Sequence, residues 1–325
     1  MKDHKIEKVK SLLEGKKIAI AFSGGADSTL LAYIASKVSK DVLLITIDNN
    51  LMPTNFLNDS KKIANNLNLK QVIVKDDFYS FDEFLENKDN RCYICREKMY
   101  KHIIHVAKSN GFDIVADGTN ISDLVDNRPG ILINYKNNIL SPFVYGCLES
   151  YEIHKCLDEL NIDYLKASTC LATRISGNLT KEEISKVQLA EDFIKNNTDC
   201  EIVKVRLKNK LAICEVDNFT YFLDKNVRNK IIDYLNSLGF QKVYLNLREI
   251  QDNEKIFIDC FEDGNYYSFT YHLPYEINLN ETLKILKNNK IVISENGEIT
   301  GRKFKSKKEA KEVFLSVLPL LRRKI

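Results

Sequence analysis

Short apolar runs alternate with amphipathic stretches along the first half of the chain. Each apolar run has the length of a buried strand, and each amphipathic stretch has the spacing of a helix. We predict buried strands at residues 17–22, 41–47, 71–75 and 113–117. We predict helices at residues 27–38, 58–67 and 96–109. Strands that alternate with helices are typical of an α/β fold, in which a doubly wound parallel sheet has right-handed connections and helices on both faces.

The second half of the chain begins with a long helical stretch, LTKEEISKVQLAEDFIKN, and a polar NNTD linker. Thr180 is predicted to cap this helix, and Glu183 completes a capping box three positions later. A hairpin is predicted in EIVKVRLKNKLAICEV, followed by a helix at 225–238 and a strand in KVYLNL. We therefore predict a domain at residues 1–197, a small α/β unit for substrate or oligomer contacts at 198–250, and an additional α/β region of unknown role at 251–325.

The turn after the first predicted strand, SGGADS, holds two adjacent glycines in a chain that has 12 glycines in 325 residues. A strand, a glycine-rich turn and a helix form a phosphate cradle, because backbone N–H groups and the helix N-terminus face the oxygens. The turn matches neither the Walker A pattern nor G-x-G-x-x-G. An acid without a following lysine suits pyrophosphate carried with Mg²⁺, and Asp27 is the predicted magnesium ligand and a catalytic residue.

A second polar segment, DGTN at 117–120, follows the last predicted strand of the sheet. Ligands of doubly wound sheets bind at the carboxyl ends of the strands, where both polar segments lie. The residues that we assign to ATP and pyrophosphate are Ser23, Gly24, Gly25, Asp27, Ser28, Gly118 and Thr119.

The eight cysteines are too sparse for a disulfide scaffold in a chain of this length and indicate a reducing compartment. Cys92 and Cys95 form a C-x-x-C pair just ahead of a predicted helix, and Cys170 precedes Arg174 by four positions. Such thiols bind a metal or a cluster, form a redox pair, or fill the core as small apolar side chains. The core is the predicted place of Cys147, Cys156, Cys200, Cys214 and Cys260.

The order S-G-G-x-D-S after an apolar strand resembles the signature of the PP-loop ATP pyrophosphatases, which have a HUP-type fold. That superfamily cleaves ATP between the α and β phosphates and adenylates a substrate. Four stretches resemble the LarE family of ATP-dependent sulfur transferases in nickel-pincer cofactor biosynthesis: AFSGGADSTLLAYIA, NRCYICREKMY, DGTNISDLVDNRPG and CLATRISGNLTKEE. A fifth, VKVRLKNKLAICEV with LGFQKVYLNL, is similar to that family's small C-terminal unit, so the resemblance covers residues 1 to about 250.

In the LarE family, ATP adenylates a carboxylate of a pyridinium biscarboxylate mononucleotide, and a cysteine attacks the acyl-adenylate. The resemblance implies that this cysteine is Cys170, whose sulfur stays with the product and leaves dehydroalanine. Arg174 would supply a positive charge that populates the thiolate. Related sulfur transferases, including tRNA-thiolating ones, hold a 4Fe-4S cluster on a C-x-x-C pair and one distant cysteine. Because Cys92, Cys95 and Cys170 match that order, we favour the cluster version; ATP and Mg²⁺ are required in both.

The resemblance also assigns residues outside the phosphate turn. Asp123, Asp126 and Arg128 follow DGTN and are expected to close over the nucleotide. Substrate binding is expected of Asp123, Arg128, Glu191, Lys204, Arg206 and Glu215, with an ordinary surface charge as the alternative at each. The chain departs from the family after residue 247, where LNLREIQDNEK replaces an acidic stretch with glycine and serine. Substrate binding or oligomer contacts are therefore expected to differ there.

Net charge and hydropathy limit the classes of partner that we expect for this protein. The formal net charge of +3 argues against a nucleic-acid partner. No apolar run reaches the ~20 residues of a membrane span, and the N-terminus has no signal-peptide pattern, so we predict a cytoplasmic protein. The resemblance implies a small-molecule nucleotide substrate and a homo-oligomer. Three alternatives stay open: a tRNA-thiolating PP-loop enzyme, an amide-forming enzyme of the NAD synthetase kind, and a nucleotide sensor that binds ATP without turnover.

Overall fold

Three sheets organise the protein. The computed structural model describes residues 4–166, 169–250 and 255–324. Ser168 of the STCLATR stretch and the first four residues of the predicted region 251–325 therefore lie outside the described residues. The described part holds one parallel four-stranded sheet, one three-stranded sheet and one antiparallel four-stranded sheet.

The first sheet consists of the four predicted strands. They are β1 Lys17–Ala21, β2 Asp41–Asp48, β3 Lys70–Lys75 and β4 Ile114–Ala116. The order is β3-β2-β1-β4, and every neighbouring pair is parallel. Side chains alternate between the two faces: Val42 and Leu44 of β2 join one hydrophobic cluster, and Leu43 and Ile45 join another. The predicted α/β fold with a parallel sheet is confirmed.

Helices cover both faces of this sheet. The helices in this part of the chain, of which only some pack on the sheet, are α1 His4–Leu13, α2 Ala26–Val38, α3 Phe56–Asn66, α4 Asp82–Leu85, α5 Arg91–Ser109, α6 Ser122–Val125, α7 Leu132–Lys136, α8 Pro142–Tyr145, α9 Ser150–Leu160 and α10 Lys181–Asn197. Side chains of α1, α2 and α9 share a cluster with β1, whereas α5 packs on the opposite face. Both faces of the sheet are therefore buried, as near-continuous apolar strands require.

The start of α5 differs from the prediction by five residues, so the C-x-x-C pair lies in its first two helical turns and not ahead of the helix. Arg91 donates from Nη1 to the carbonyl oxygen of Ala172 at 3.1 Å. Asn87 donates from Nδ2 to the carbonyl oxygens of Ile175 and Gly177 at 2.8 and 2.7 Å. These contacts fix the beginning of the helix against a turn about 80 residues away in the chain, and local sequence does not reveal them.

A small mixed sheet follows α10. Its strands are β5 Val203–Lys208, β6 Leu211–Val216 and β7 Lys242–Leu245, and α11 Lys225–Ser237 connects the last two. The predicted hairpin of β5 and β6 turns at Asn209 and Lys210, whose φ angles of 50° and 63° are typical of a tight two-residue loop. The predicted cap of α10 is present, because Thr180 Oγ1 accepts a hydrogen bond from the N–H of Glu183 at 3.1 Å.

The C-terminal region forms an antiparallel sheet with two helices. Its elements are β8 Cys260–Asp263, β9 Tyr266–His272, α12 Leu279–Ile285, β10 Ile291–Ile293, β11 Glu298–Phe304 and α13 Lys307–Val317, and the strand order is β10-β11-β9-β8. Phe269, Phe304 and Phe314 lie in its core, which also takes in Ile121 and Leu124 from the segment after β4. The region therefore packs against the segment that carries the predicted nucleotide loop.

The predicted limits of the units, 1–197, 198–250 and 251–325, stay predictions. The core of the small sheet includes Val187 of α10 and Phe84 of α4, which both belong to the first predicted unit. Within the described ranges, no helix is both long enough and apolar enough to cross a membrane.

Candidate functional site

The turn between β1 and α2 is shaped by glycine and closed by its own serines. Gly24 has a φ of +76°, in the left-handed region that favours glycine, and a Cβ there would lie 3.1 Å from Leu165 Cδ1. Ser23 Oγ and Ser28 Oγ are 3.2 Å apart, and Ser28 Oγ donates to the Gly25 carbonyl at 3.2 Å. Gly25 is the N-cap of α2, so the first N–H groups of the helix begin at this turn. Such a turn presents partial positive charge to an anion.

Gly118 brings the end of β4 against this turn. A Cβ at Gly118 would lie 2.7 Å from Asp27 Cβ and 2.9 Å from the backbone nitrogen of Ser28. No side chain fits in that space without displacing the start of α2. The two predicted phosphate segments are therefore in contact. Because about 90 residues separate them in the sequence, the sequence alone does not predict this contact.

We expect Gly118→Ala to lower the free energy of unfolding by about 1–3 kcal/mol, because the added methyl overpacks a rigid backbone contact. We also expect a loss of Mg²⁺–ATP binding, measured by calorimetry, because the shift moves Asp27 and the first turn of α2. The matched control is Gly111→Ala, at a φ of +79° with open space around it. That variant should be destabilised by backbone strain alone. Equal nucleotide affinity in the two variants would contradict the role of Gly118.

Two carboxylates meet beside the turn. Asn120 joins them: its Nδ2 donates to Asp27 Oδ1 at 3.0 Å, and its backbone N–H donates to Asp123 Oδ2 at 2.9 Å. Arg128 forms an ion pair with Asp123. Burial, and then the charge of Asp123, raise the pKa of Asp27 to about 7, although the Asn120 hydrogen bond acts in the opposite direction. Burial likewise raises the pKa of Asp123 against the effect of Arg128.

This donor set fits Mg²⁺. Two like-charged carboxylates in a buried site destabilise each other, and a divalent cation between them removes that cost. Mg²⁺ is bound through one or two carboxylates and completes its shell with water and substrate phosphates. Among the described residues, no group of three or more His, Cys, Asp or Glu side chains is placed to hold a metal. Asp27 and Asp123 would therefore share the ion with a phosphate ligand, and not enclose it by themselves.

A buried network fixes the end of β4. Asp117 is 4% exposed and accepts hydrogen bonds from Tyr100 Oη at 2.7 Å and from Asn134 Nδ2 at 2.9 Å, and it forms an ion pair with Arg96. Burial alone would raise the pKa of Asp117, but Arg96 and these hydrogen bonds bring it below its ordinary value. The sequence did not predict the roles of Arg96, Tyr100 and Asn134. A buried carboxylate needs hydrogen-bond and ion-pair partners, but which residues supply them depends on the folded structure.

Two cavities share the turn and the two carboxylates. One has a volume of about 320 Å³ and lies between the ends of β1 and β2 and α5, with Ile45, Ile47 and Met99 in its wall. The other has a volume of about 660 Å³ and a basic wall that includes Arg128, Lys166, Lys204 and Lys255. Residues common to both are Ser23, Gly25, Asp27, Phe56 and Asp123. An apolar compartment and a basic compartment thus meet at the carboxylates.

The three predicted thiols lie in one neighbourhood. Cys92 and Cys95 lie in the first two turns of α5. Cys170 is the N-cap of a 3-10 turn at Leu171–Arg174, which Arg91 ties to α5. Burial raises the pKa of Cys95, and the nearby thiols Cys170 and Cys92 raise it further. Burial also raises the pKa of Cys170, whereas the N–H of Ala172 and the charge of Arg91 act in the opposite direction. Each thiol pair interacts, but the described side chains offer no metal-holding group. As placed, the three thiols do not form a metal-holding group. The 4Fe-4S cluster stays a prediction, and no step of the proposed chemistry passes through one.

The chain is similar to one family of unknown function and to relatives that include two kinds of named enzyme. A family of unknown function, DUF7411, matches residues 16–130. The uncharacterized protein MJ0830 of Methanocaldococcus jannaschii is 32% identical over 242 residues, which cover 74% of this chain and 92% of that protein. The chain belongs to the MJ0830 family. The pyridinium-3,5-bisthiocarboxylic acid mononucleotide synthase of Lactiplantibacillus plantarum is 26% identical over 250 residues, 74% of this chain and 88% of that protein. One subunit of the glutamine-hydrolyzing GMP synthase of Methanococcus vannielii is 28% identical over 225 residues, 64% of this chain and 71% of that protein.

These similarities confirm the coarse part of the predicted resemblance. This member of the MJ0830 family is a PP-loop protein and a distant homologue of LarE. The larger cavity brings together six of its predicted ligand residues: Ser23, Gly25, Asp27, Asp123, Arg128 and Lys204. Gly118, Thr119 and Ser28 line the smaller cavity, Gly24 shapes the turn, and Asp126 lines the larger cavity.

Other predicted substrate residues lie in ion pairs outside the two cavities. Arg174, 2% exposed, pairs through Nε with Glu191 Oε1 at 2.8 Å, and Glu191 also accepts from the N–H of Val205 at 2.9 Å. Burial raises the pKa of Glu191 against the effect of Arg174. Arg206 pairs with Glu215 across the hairpin at 2.8 Å. The structure therefore gives Arg174 and Glu191 a connecting position between the Cys170 turn, α10 and β5, and the predicted substrate contacts of Glu191, Arg206 and Glu215 stay predictions.

Proposed function

We propose that this protein uses Mg²⁺–ATP to adenylate the carboxylate of a small nucleotide-like acceptor and then transfers sulfur to the activated carbon. The observation that carries the first half is the pair of carboxylates, half-buried Asp27 and buried Asp123, beside a glycine-shaped turn at the N-terminus of α2. Both named relatives, a thiocarboxylate-forming synthase and a GMP synthase, support activation of a substrate with ATP.

The two cavities suggest how the reactants are arranged. The apolar compartment beside Ile45 and Met99 suits the adenine and ribose, and the first turn of α2 suits the phosphates. Bound there, Mg²⁺ would supply charge neutralisation on the phosphate oxygens, held by Asp27 and Asp123. The basic compartment then holds the acceptor with its carboxylate towards the α phosphate. The carboxylate oxygen forms a bond to Pα, the bond from Pα to the bridging oxygen of Pβ breaks, and pyrophosphate leaves with that electron pair.

Cys170 is the proposed sulfur donor. It directly follows Thr169, which lines the basic compartment, and it begins the Leu171–Arg174 turn. The Ala172 N–H, Arg91 and Arg174 favour its thiolate against burial. The thiolate attacks the acyl carbon and AMP leaves, which forms a thioester. Loss of the α proton of residue 170 and cleavage of its Cβ–S bond then release a thiocarboxylate and leave dehydroalanine, so no external reductant is needed.

The Lactiplantibacillus plantarum relative is named for a product that carries thiocarboxylates on a pyridinium mononucleotide. We therefore propose pyridinium-3,5-biscarboxylic acid mononucleotide, or a close analogue, as the acceptor, and a role in nickel-pincer cofactor biosynthesis. In this proposal the protein acts on a small molecule in the cytoplasm as a homo-oligomer.

The test is anaerobic incubation of the purified protein with Mg²⁺–ATP and this mononucleotide, followed by mass spectrometry of the peptide that contains Cys170. We expect pyrophosphate release, a thiocarboxylate product, and loss of one H₂S from residue 170. Cys170→Ala should abolish the thiocarboxylate, whereas Cys260→Ser on β8, outside both cavities, should retain it. If product forms while Cys170 stays intact and the protein contains iron and sulfide, the sacrificial role of Cys170 is wrong and the 4Fe-4S cluster hypothesis is favoured.

A second candidate is amide formation, which the similarity to the GMP synthase of Methanococcus vannielii favours. An amidating enzyme shares the adenylation step but takes ammonia in place of a thiol. If the protein is an amidating enzyme, Cys170→Ala should release pyrophosphate and form the amide product at the wild-type rate when ammonium is supplied as the nucleophile. The same variant therefore separates the two candidates.

A further inference from the structure

The C-terminal region supplies one wall of the basic compartment. Lys255, Ile256, Phe257 and Tyr271 line the same 660 Å³ cavity as Ser23 and Asp27. The resemblance to the LarE family ends at about residue 250, so these four side chains come from a part of the chain that the family resemblance does not explain. An acceptor that fills the compartment has to touch them.

The segment that carries Lys255 and Phe257 is anchored beside the site. The backbone N–H of Ile256 donates to Glu149 Oε2 at 2.9 Å, and Lys311 of α13 pairs with Glu149 Oε1 at 2.8 Å. Glu149 is 2% exposed and also caps α9 through a capping box. A buried carboxylate with partners from three elements holds the neighbouring backbone in place.

A second anchor ties the region to α6, the short helix that carries Asp123. Arg323 donates to the carbonyl oxygens of Leu124 and Asp126 at 3.0 and 2.9 Å, and its guanidinium lies 3.7 Å from the centre of the Tyr275 ring. Tyr275 Oη donates to the Leu124 carbonyl at 2.6 Å. The C-terminal region therefore positions both the wall of the acceptor compartment and the segment that carries Asp123.

The chemistry of this wall points to a ring with an anionic group. Phe257 lines the cavity and exposes 78% of its surface, although the backbone of the preceding residue, Ile256, is anchored. Such exposure is unusual for a large aromatic side chain. Lys255 Nζ lies 4.6 Å from the centre of the Tyr151 ring, and Lys166 and Lys204 line the same cavity. Aromatic faces stack on planar heterocycles, and ammonium groups pair with phosphate or carboxylate.

We propose that Phe257 and Lys255 form the recognition site for the acceptor, with Phe257 stacking on a planar heteroaromatic ring and Lys255 pairing with an anionic group of the same molecule. The proposal rests on the proposed function, since it names the substrate class of the same site. Its ligand class is a heteroaromatic mononucleotide. Recognition by the C-terminal region then distinguishes this chain from relatives that lack it.

The probe is nicotinic acid mononucleotide, which has a pyridine ring, a carboxylate and a phosphate. Calorimetry with the full chain, in the presence of Mg²⁺ and a non-hydrolysable ATP analogue, measures its affinity. We expect Phe257→Ala to weaken binding about 10-fold, the size of a lost stacking contact. We expect Lys255→Ala to weaken it about 5-fold, and by more at low ionic strength. Affinity for the ATP analogue should not change in either variant.

Matched controls come from the same region. Phe261→Ala removes an aromatic ring that is 54% exposed on β8, and Lys307→Ala removes a lysine beside the ring of Tyr267, and neither residue lines the cavity. Unchanged probe affinity in Phe257→Ala and Lys255→Ala, with normal binding of the ATP analogue, would overturn this proposal and leave the proposed function intact. Failure of the wild type to bind the probe would also overturn it, as would tRNA binding that depends on Lys255 in place of probe binding. Probe binding with the expected losses, but without pyrophosphate release, would support the recognition site and count against the proposed chemistry.

Discussion

Asp27→Asn should abolish nucleotide activation and at the same time stabilise the protein without ligand. The substitution removes one of the two carboxylates that would hold Mg²⁺, so we expect Mg²⁺-dependent pyrophosphate release to fall by about 1,000-fold or more, equivalent to several kcal/mol of lost charge stabilisation. It also removes the repulsion that, with burial, raises the pKa of Asp27 to about 7. Asparagine keeps an oxygen that accepts the hydrogen bond from Asn120.

The stabilisation should depend on pH with a definite sign. The folded wild type binds a proton at Asp27 up to about pH 7, whereas the ordinary pKa of an aspartic acid in the unfolded chain is 3.8. The wild type therefore has the full contribution of that proton below about pH 3.8 and loses it progressively as the pH rises from there through about 7. The gain in melting temperature from Asp27→Asn should be smallest near pH 4, increase between about pH 4 and pH 7, and be largest above pH 8. Saturating Mg²⁺ should remove the wild-type deficit at pH 8.

Asp113→Asn is the matched control, because Asp113 is exposed and precedes β4 at the opposite end of the sheet. It should change neither pyrophosphate release nor the pH dependence of the melting temperature. If Asp27→Asn destabilised the protein at pH 8, or kept its Mg²⁺-dependent activity, the assignment of the two carboxylates to the metal would be wrong.

Glu191→Ala should cause the largest loss of stability. Both members of the Arg174–Glu191 pair are buried, and removal of Glu191 leaves an uncompensated guanidinium and an N–H of Val205 without its acceptor. Breaking a buried pair in this way costs about 3–5 kcal/mol. Urea unfolding should show a loss of this size, together with weaker sulfur transfer, because the Arg174 turn also carries Cys170.

Two further variants separate charge burial from packing. Glu159→Ala removes an exposed acid of α9 that pairs with Lys155 at 3.8 Å, and we expect a change within about 0.5 kcal/mol. Arg174→Met combined with Glu191→Leu removes both charges and should recover most of the lost stability. A Glu191→Ala variant as stable as Glu159→Ala would contradict the interior role of the pair.

Local sequence was enough for the elements that depend on near neighbours in the chain. The apolar runs predicted β1 to β4 to within a few residues, and SGGADS predicted a turn that leads into a helix, because strand period, glycine and helix onset are local properties. The start of α5 was predicted five residues late, since Arg91 and Asn87 hold it through contacts with the 172–177 segment. The partners of Asp117 were missed for the same reason: two helices, α5 and α7, supply them from either side of β4 in the sequence.

The sequence by itself determined the class of the fold, the phosphate turn and the residue types that carry its chemistry. Only the tertiary structure decided which of those residues act together. It placed Asp27 against Gly118 and Asp123, buried Arg174 with Glu191, and brought Lys255 and Phe257 to the same cavity. The physical reason is that charge repulsion, desolvation and cavity shape depend on distances between segments. A one-dimensional pattern records the periodicity of each segment, but the distances between segments exist only in the folded chain.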